Sequence, residues 1–269
     1  MKRSSLLPAL AIIACPALAA AQSGVDDRLT ISANGSTLSP SSAGNGGGGG
    51  AIGWLHNFNS DAIVGVAGEY QTLAGSSWAF GSVNLALGRG QAGHRSNYYA
   101  EAHVGSGDDD VHNYDYSVFA AGLIQSLTRQ LAIQIEDKQI DIDTTRGNLP
   151  KLGLQMLWTP SLLTSASYSH SVSGNLGTRL GLVRLDHYGK GYNFIFGAAG
   201  GKASPAVVDL RTGIQTPGLT LREGFIGFSK PFSRTDLTVV GDYLNLADTE
   251  RVTLTVNCIF HLRGRGGVR

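Results

Sequence analysis

Lys151-Leu152-Gly153-Leu154-Gln155-Met156-Leu157-Trp158 and Arg251-Val252-Thr253-Leu254-Thr255-Val256-Asn257-Cys258-Ile259-Phe260-His261-Leu262 decide the fold. Read with a period of two, Leu152, Leu154, Met156 and Trp158 share one face, and Lys151, Gly153 and Gln155 the other. In the second stretch Val252, Leu254, Val256, Cys258, Phe260 and Leu262 alternate with Arg251, Thr253, Thr255, Asn257, Ile259 and His261. Successive side chains of a strand point to opposite faces, so each stretch is a strand with one apolar side. Segments of about ten residues with this alternation, repeated behind an export signal, predict an all-β chain folded as a transmembrane antiparallel up-and-down β-barrel.

The export signal occupies residues 1–21. Lys2 and Arg3 form its charged start, Leu6 to Ala14 its apolar run, and Ala17-Leu18-Ala19 and Ala19-Ala20-Ala21 two small-residue cleavage sites. This places the start of the mature chain at Ala20 or Gln22. The apolar run is too short for a bilayer core of ~30 Å, which takes roughly 20 helical residues. Ile12-Ile13-Ala14-Cys15 has the outline of a lipidation box, but the better cleavage site lies downstream of it, so Cys15 is expected to leave with the signal. Only Cys258 then remains, and no intramolecular disulfide can form. The expected organisation is a signal over 1–21, a barrel over 22–262 and a basic tail over 263–269.

The composition suits a wall with one lipid-facing and one polar side. The chain has 37 Gly and 42% hydrophobic residues, with a mean hydropathy near zero, too polar for a helical bundle in lipid. With 21 Lys plus Arg against 20 Asp plus Glu, no basic excess exists to attract nucleic acid. The residue pattern calls for no cofactor and no metal.

Fourteen strands are read near residues 27–34, 49–58, 62–72, 77–88, 96–105, 112–125, 129–140, 150–159, 162–172, 175–186, 190–200, 219–229, 235–245 and 250–262, with twelve as the alternative. Links after even-numbered strands are mostly short, such as Pro160-Ser161 and His187-Tyr188-Gly189, with Arg89 to Arg95 the exception. Links after odd-numbered strands include the glycine-rich stretch to Gly48, Ser106 to Val111, Asp141 to Leu149 and Gly201 to Gly218. Bacterial barrels have short periplasmic turns and longer outer loops, so this phase puts both termini in the periplasm.

Parity then sorts the side chains. Glu69, Glu101, His103, Asp115, Gln134, Glu136, Lys138, Lys151, Arg179, Glu223, Asp242 and Arg251 fall on the inward face and are the candidate lumen-lining residues. Tyr114, Tyr116, Trp158, Tyr168, Tyr192 and Tyr243 fall outward near strand ends, where amphipathic rings suit the headgroup boundary. A row of serines, Ser165, Ser167, Ser169 and Ser171, is expected to point inward. Burying charge in lipid costs roughly 2–4 kcal/mol for Arg or Lys near the midplane, which the inward placement avoids. Since neither sign dominates, the inward charges read as a salt-bridged filling rather than an ion-selecting ring.

The remaining motifs carry little chemistry. The run Gly46 to Gly50 lacks the Lys-Ser/Thr of a phosphate-binding loop and reads as an outer loop. Asp108-Asp109-Asp110 has no calcium-loop spacing and reads as solvated, with divalent bridging to lipopolysaccharide as the alternative. His170-Ser171-Val172-Ser173-Gly174-Asn175 holds the ingredients of a lipolytic site, but in a strand His170 shares its face with Val172, not with Ser171 or Ser173. The leading expectation is a porin-like barrel without catalysis, structural or a narrow channel. A lipid-modifying outer-membrane enzyme is the alternative, and a soluble secreted β-sandwich a third reading. Expected partners are outer-membrane lipid, lipopolysaccharide and the barrel assembly machinery.

Arg184-Leu185-Asp186, Gly189-Lys190-Gly191-Tyr192 and Phe225-Ile226-Gly227-Phe228-Ser229-Lys230-Pro231-Phe232 together resemble the YaiO-like outer-membrane β-barrel proteins, over roughly residues 175 to 262. The resemblance implies an outer-membrane barrel of a kind found joined to exopolysaccharide export machinery, and it transfers no catalytic residue. One departure stands out: such barrels usually end on an aromatic residue, whereas here Phe260 is followed by His261 to Arg269. Phe260 is expected to serve as the insertion signal despite that tail.

Overall fold

The computed structural model describes residues 26–40, 46–59, 61–73, 75–90, 93–108, 113–142, 145–203, 219–247 and 249–262. The signal and tail expected over 1–21 and 263–269 lie outside them, as do Asp109 and Asp110. The described residues form fifteen strands and no helix: β1 Asp26–Ser39, β2 Gly47–Asn59, β3 Ala62–Leu73, β4 Ser76–Arg89, β5 Ser96–Asp108, β6 Asn113–Ser126, β7 Leu131–Ile142, β8 Thr145–Asn148, β9 Lys151–Thr159, β10 Leu162–His170, β11 Arg179–Gly189, β12 Tyr192–Ala203, β13 Leu219–Pro231, β14 Thr235–Leu246 and β15 Thr249–His261. Each pairs antiparallel with its sequence neighbours, except that β8 and β9 both pair with β7 and not with each other, and β1 pairs with β15 from Arg28↔His261 to Ser39↔Glu250, closing the wall.

The closed wall has fourteen strands because β8 and β9 count as one. Gln139↔Asn148 and Glu136↔Lys151 lie in the same register on β7. The interruption falls at Leu149-Pro150, where proline has no N–H to give a ladder. The neighbouring bonds persist: Leu149 N donates to the Lys138 carbonyl at 2.8 Å and His170 N to the Pro150 carbonyl at 3.1 Å. Closure pairs the backbone groups that a lipid core would otherwise leave unsatisfied.

Alternation puts an apolar band outside. Ile52, Trp54, Val66, Val83, Leu85, Ile135, Leu152, Leu154, Val183, Ile226, Val252 and Leu254 are all exposed large hydrophobics on outward positions. Both described ends of the chain lie at one rim, where Leu262 N donates to the Asp27 carbonyl. The other rim carries the longer links between β1 and β2, β10 and β11, and β12 and β13, and is the outer end by the usual construction of such barrels.

Several strands run further outward than the alternation alone predicts. Gly47 to Gly50 belong to β2, paired with Ser36 to Ala33 on one side and Leu73 to Tyr70 on the other, not to a loop. A Cβ at Gly49 would collide with the Tyr70 carbonyl and the Gln71 side chain, so the glycines make room for Gln71 and Leu73, both buried inside. Most of Asp141 to Leu149, expected as a loop, is likewise strand, and β3–β4 and β14–β15 close in tight turns.

At the β14–β15 turn Ala247 has φ 54°, a left-handed conformation that crowds Cβ against the following carbonyl. Ala247→Gly is therefore expected to stabilise the barrel by about 0.5–1 kcal/mol, the relief of left-handed strain less the extra chain entropy of glycine. Urea unfolding in lipid vesicles measures it.

Candidate functional site in the barrel interior

The interior carries charge in its middle and apolar side chains toward the outer rim. On β5, β7 and β9, Tyr99, Glu101, His103, Gln134, Glu136, Lys138 and Lys151 share the inward face, because antiparallel register sets Glu136 opposite Lys151. Glu136 Oε2 accepts hydrogen bonds from Tyr99 Oη at 2.5 Å and Lys151 Nζ at 2.6 Å. Gln134 Nε2 donates to Tyr99 Oη at 2.8 Å. Lys138 Nζ stands 4.0 Å from Glu136 and 3.7 Å from Glu101, whose Oε2 is 3.8 Å from His103 Nε2. Two carboxylates thus face two ammonium groups, so neither sign is in excess among these four. Glu69, on β3, accepts from Gln71 Nε2 at 2.7 Å.

A second group sits across the barrel on β13, β14 and β15. Arg251 Nη2 lies 3.7 Å from Asp242 Oδ1, its Nε donates to Thr253 Oγ1, and Glu223 faces inward nearby. A third lies toward the terminus end on β11: the Arg184 guanidinium grips Asp186, Nη2 to Oδ1 at 2.6 Å and Nε to Oδ2 at 2.9 Å. His261 Nε2 stands 3.0 Å from Asp236 Oδ2.

Of the lumen-lining candidates, Glu69, Glu101, His103, Glu136, Lys138, Lys151, Glu223, Asp242 and Arg251 point inward. Two depart from the expected face. Asp115 is exposed on the outward side of β6, and Arg179 is exposed on the outward side of β11. On β6 both parities are apolar, Tyr116-Val118-Ala120-Ile124 against Phe119-Ala121-Leu123, so alternation could not choose; packing buries the first set. On β11 the inward parity is set by Arg184 and Leu182 lying opposite Ser165 and Ser167, which turns Arg179 out. The same choice on β6 brings Tyr116, expected at the membrane boundary, inside at 7% exposure. Trp158, Tyr168, Tyr192 and Tyr243 stand exposed on the outside; the side chain of Tyr114 is outside the described residues.

Above the belt, Leu73, Trp78, Phe80, Tyr116, Val118, Ile140, Ile142, Leu149 and Leu176 form a buried apolar cluster. Leu176 comes from the link 171–178, not from a strand, and is 0% exposed. The link is held along β8: Val172 N donates to the Asn148 carbonyl, and Asn175 N to the Arg146 carbonyl at 2.9 Å. Arg146 N donates to Asn175 Oδ1 at 2.8 Å and Asn148 N to Ser173 Oγ at 3.1 Å. Gly174 and Gly177, at φ 70° and 55°, make the reversal that turns Leu176 inward. A smaller cluster, Ala203, Leu221, Leu244 and Leu246, lines the opposite side of the outer end.

The chain has the fold of outer-membrane channel barrels. It aligns with the CymD monoaromatic hydrocarbon channel at TM-score 0.60 and 10% identity, over 97% of this chain and 94% of that one. The Ralstonia pickettii toluene transporter TbuX aligns at 0.54 and 9% identity, over 89% and 90%. A bacterial polysaccharide outer membrane secretin aligns at 0.51 and 10%, over 88% and 98%. No family model matches the sequence, and no curated protein matches it.

Of the lipolytic ingredients, the two serines are engaged in holding the link 171–178, while the histidine is not. His170 Nδ1 has no hydrogen-bond partner, Ser171 Oγ accepts from Thr178 N at 3.0 Å, and Ser173 Oγ donates to Asn148 Oδ1 at 3.2 Å. Among the described residues no His, Cys, Asp and Glu cluster has the geometry to hold a metal ion. Sequence reasoning missed Trp78, Arg184, Asp186 and Leu176. For Arg184 and Asp186 a signal existed, since opposite charges two apart share a face; the inward path of Leu176 had none.

Proposed function

We propose that the protein is a non-catalytic channel of the bacterial outer membrane, termini in the periplasm, that passes small apolar or amphipathic solutes. The carrying observation is the apolar cluster around Trp78, Phe80 and Leu176 at the outer end of the interior. Such a lining offers a solute leaving the outer surface a partner that water does not, and the belt beneath it has no single-sign field to select an ion. The hydrocarbon-channel fold neighbours support this reading. A second reading, passage of a polysaccharide, draws on the YaiO-like resemblance and the secretin neighbour; the apolar closure favours the first, because a hydrated polymer needs polar walls.

Trp54→Phe with Trp158→Phe leaves Trp78 the sole indole of the three, and it faces the apolar cluster. Titrating that protein with toluene in detergent is expected to give a saturable fluorescence change, at least several-fold smaller with Leu176→Glu. A response that merely tracks toluene in the detergent, without saturation, counts against the apolar channel. Large ionic conductance in a planar bilayer favours the polymer reading.

A further inference from the structure

Arg179, Lys202 and Arg222 occupy outward, exposed positions on three consecutive strands, β11, β12 and β13. Arg179 and Lys202 are direct cross-strand partners, and Arg222 lies diagonal to Lys202, opposite Gly200. None has an acid within ion-pair distance among the described residues. Among the described residues the nearest outward acid along the sheet, Glu250, lies beyond β14. Like charges set side by side repel, so the wall carries a positive spot that no acid among the described residues neutralises.

The height of these cations follows from the register. Arg179 stands one outward position beyond Gly181, the partner of Tyr168, and Arg222 one outward position beyond Gly224, the partner of Tyr243. Tyr168 and Tyr243 are 54% and 42% exposed and mark the headgroup boundary. All three cations therefore lie just outside it, at the outer rim.

The surface directly beneath them is bare backbone. Gly181 pairs with Gly200, and Gly224 follows on β13. Their φ angles are ordinary, and space exists for a side chain: a Cβ at Gly224 meets nothing within 4 Å, at Gly181 only the Gly200 carbonyl at 3.9 Å, and at Gly200 the Leu221 carbonyl at 3.6 Å. Neither backbone conformation nor crowding calls for glycine there. Elsewhere on the wall Asp115, Asp137 and Asp141 face out on β6 and β7, Asp141 paired with Arg146 at 2.8 Å.

We propose that Arg179, Lys202 and Arg222 bind the phosphates of an outer-leaflet lipopolysaccharide, with an acyl chain lying over Gly181, Gly200 and Gly224 between the two tyrosines. The proposal rests on the outer-membrane reading. Guanidinium groups pair phosphate in a bidentate manner and ammonium as a point charge, so the triad fits a phosphorylated headgroup rather than a neutral one.

The test uses the full mature chain, refolded in detergent, with phosphorylated lipid A, enzymatically dephosphorylated lipid A and phosphatidylglycerol as probes, binding being read by native mass spectrometry. The refolded barrel is expected to retain phosphorylated lipid A preferentially. The combined variant Arg179→Gln, Lys202→Gln, Arg222→Gln is expected to bind it on the order of a hundredfold more weakly, since each surface cation adds about 1 kcal/mol toward an anionic membrane. Gly224→Leu, which keeps the cations, is expected to weaken lipid A and leave inorganic phosphate unaffected. Equal retention by the triple variant, or of the dephosphorylated lipid, overturns the site, and equal retention of phosphatidylglycerol reduces it to unspecific charge. Heat-modifiable migration of parent and variant reports the barrel independently, so a failed site and a failed membrane reading give different results.

Discussion

Replacing Glu136 with alanine is expected to lower the unfolding free energy of the barrel by about 3–5 kcal/mol, the usual cost of removing one partner from a buried ion pair. Its carboxylate accepts from Lys151 and Tyr99 and faces Lys138, and its side chain is only 7% exposed. Alanine would leave the buried Lys138 and the half-buried Lys151 with only Glu101 between them, and the half-buried Tyr99 phenol without its acceptor. The loss is of compensation, not of volume. The double variant Glu136→Ala, Lys151→Met should therefore recover a large part of the stability, because an apolar stem replaces the stranded charge. Reversible urea unfolding in lipid vesicles measures both, and a single variant as stable as the parent would show the belt to be solvated and open.

Leu154→Arg is expected to cost about 2–4 kcal/mol, the price of placing a guanidinium at mid-depth in lipid. Leu154 is an exposed hydrophobic on the outward face of β9, between Leu152 and Met156, with Trp158 marking the nearer boundary. Its sequence neighbour Gln155 points inward, and Gln155→Arg should change stability by roughly 1 kcal/mol or less, because the interior is polar there. The pair separates a lipid-facing wall from a soluble sandwich. In a soluble protein an exposed Leu154→Arg would be close to neutral or even favourable, so a negligible effect in vesicles would sink the membrane assignment.

Much of this wall was legible from period-two alternation. In β9 and β15 one parity is wholly apolar and lipid selects it, so strand, face and inward residues such as Lys151 and Arg251 followed directly. In β6 both parities are apolar, and nothing local distinguishes Tyr116 from Phe119. The choice is made by the inward packing of the Tyr116 ring against Phe80 of β4, which is why Asp115 and Tyr116 were assigned to the wrong faces. Arg179 failed for a related reason, since an unpaired cation at a strand end is placed by depth rather than by charge. The glycine run was misread because glycine signals loops, while in β2 it clears space beside Gln71 and Leu73. The belt itself depends on register between β5, β7 and β9, which no stretch of sequence contains alone.

The seam between β1 and β15 has a kinetic meaning. Its twelve matched pairs join residues separated by nearly the whole chain, the costliest contacts for a disordered polymer to find. Until β15 arrives, β1 and every intermediate sheet keep an open edge that lipid penalises and other strands attract. Assembly is thus governed by the last strand made, and a partial wall gains little from being partly complete. Phe260 and His261, which pair with Leu29 and Arg28 at the start of β1, sit where that ring shuts.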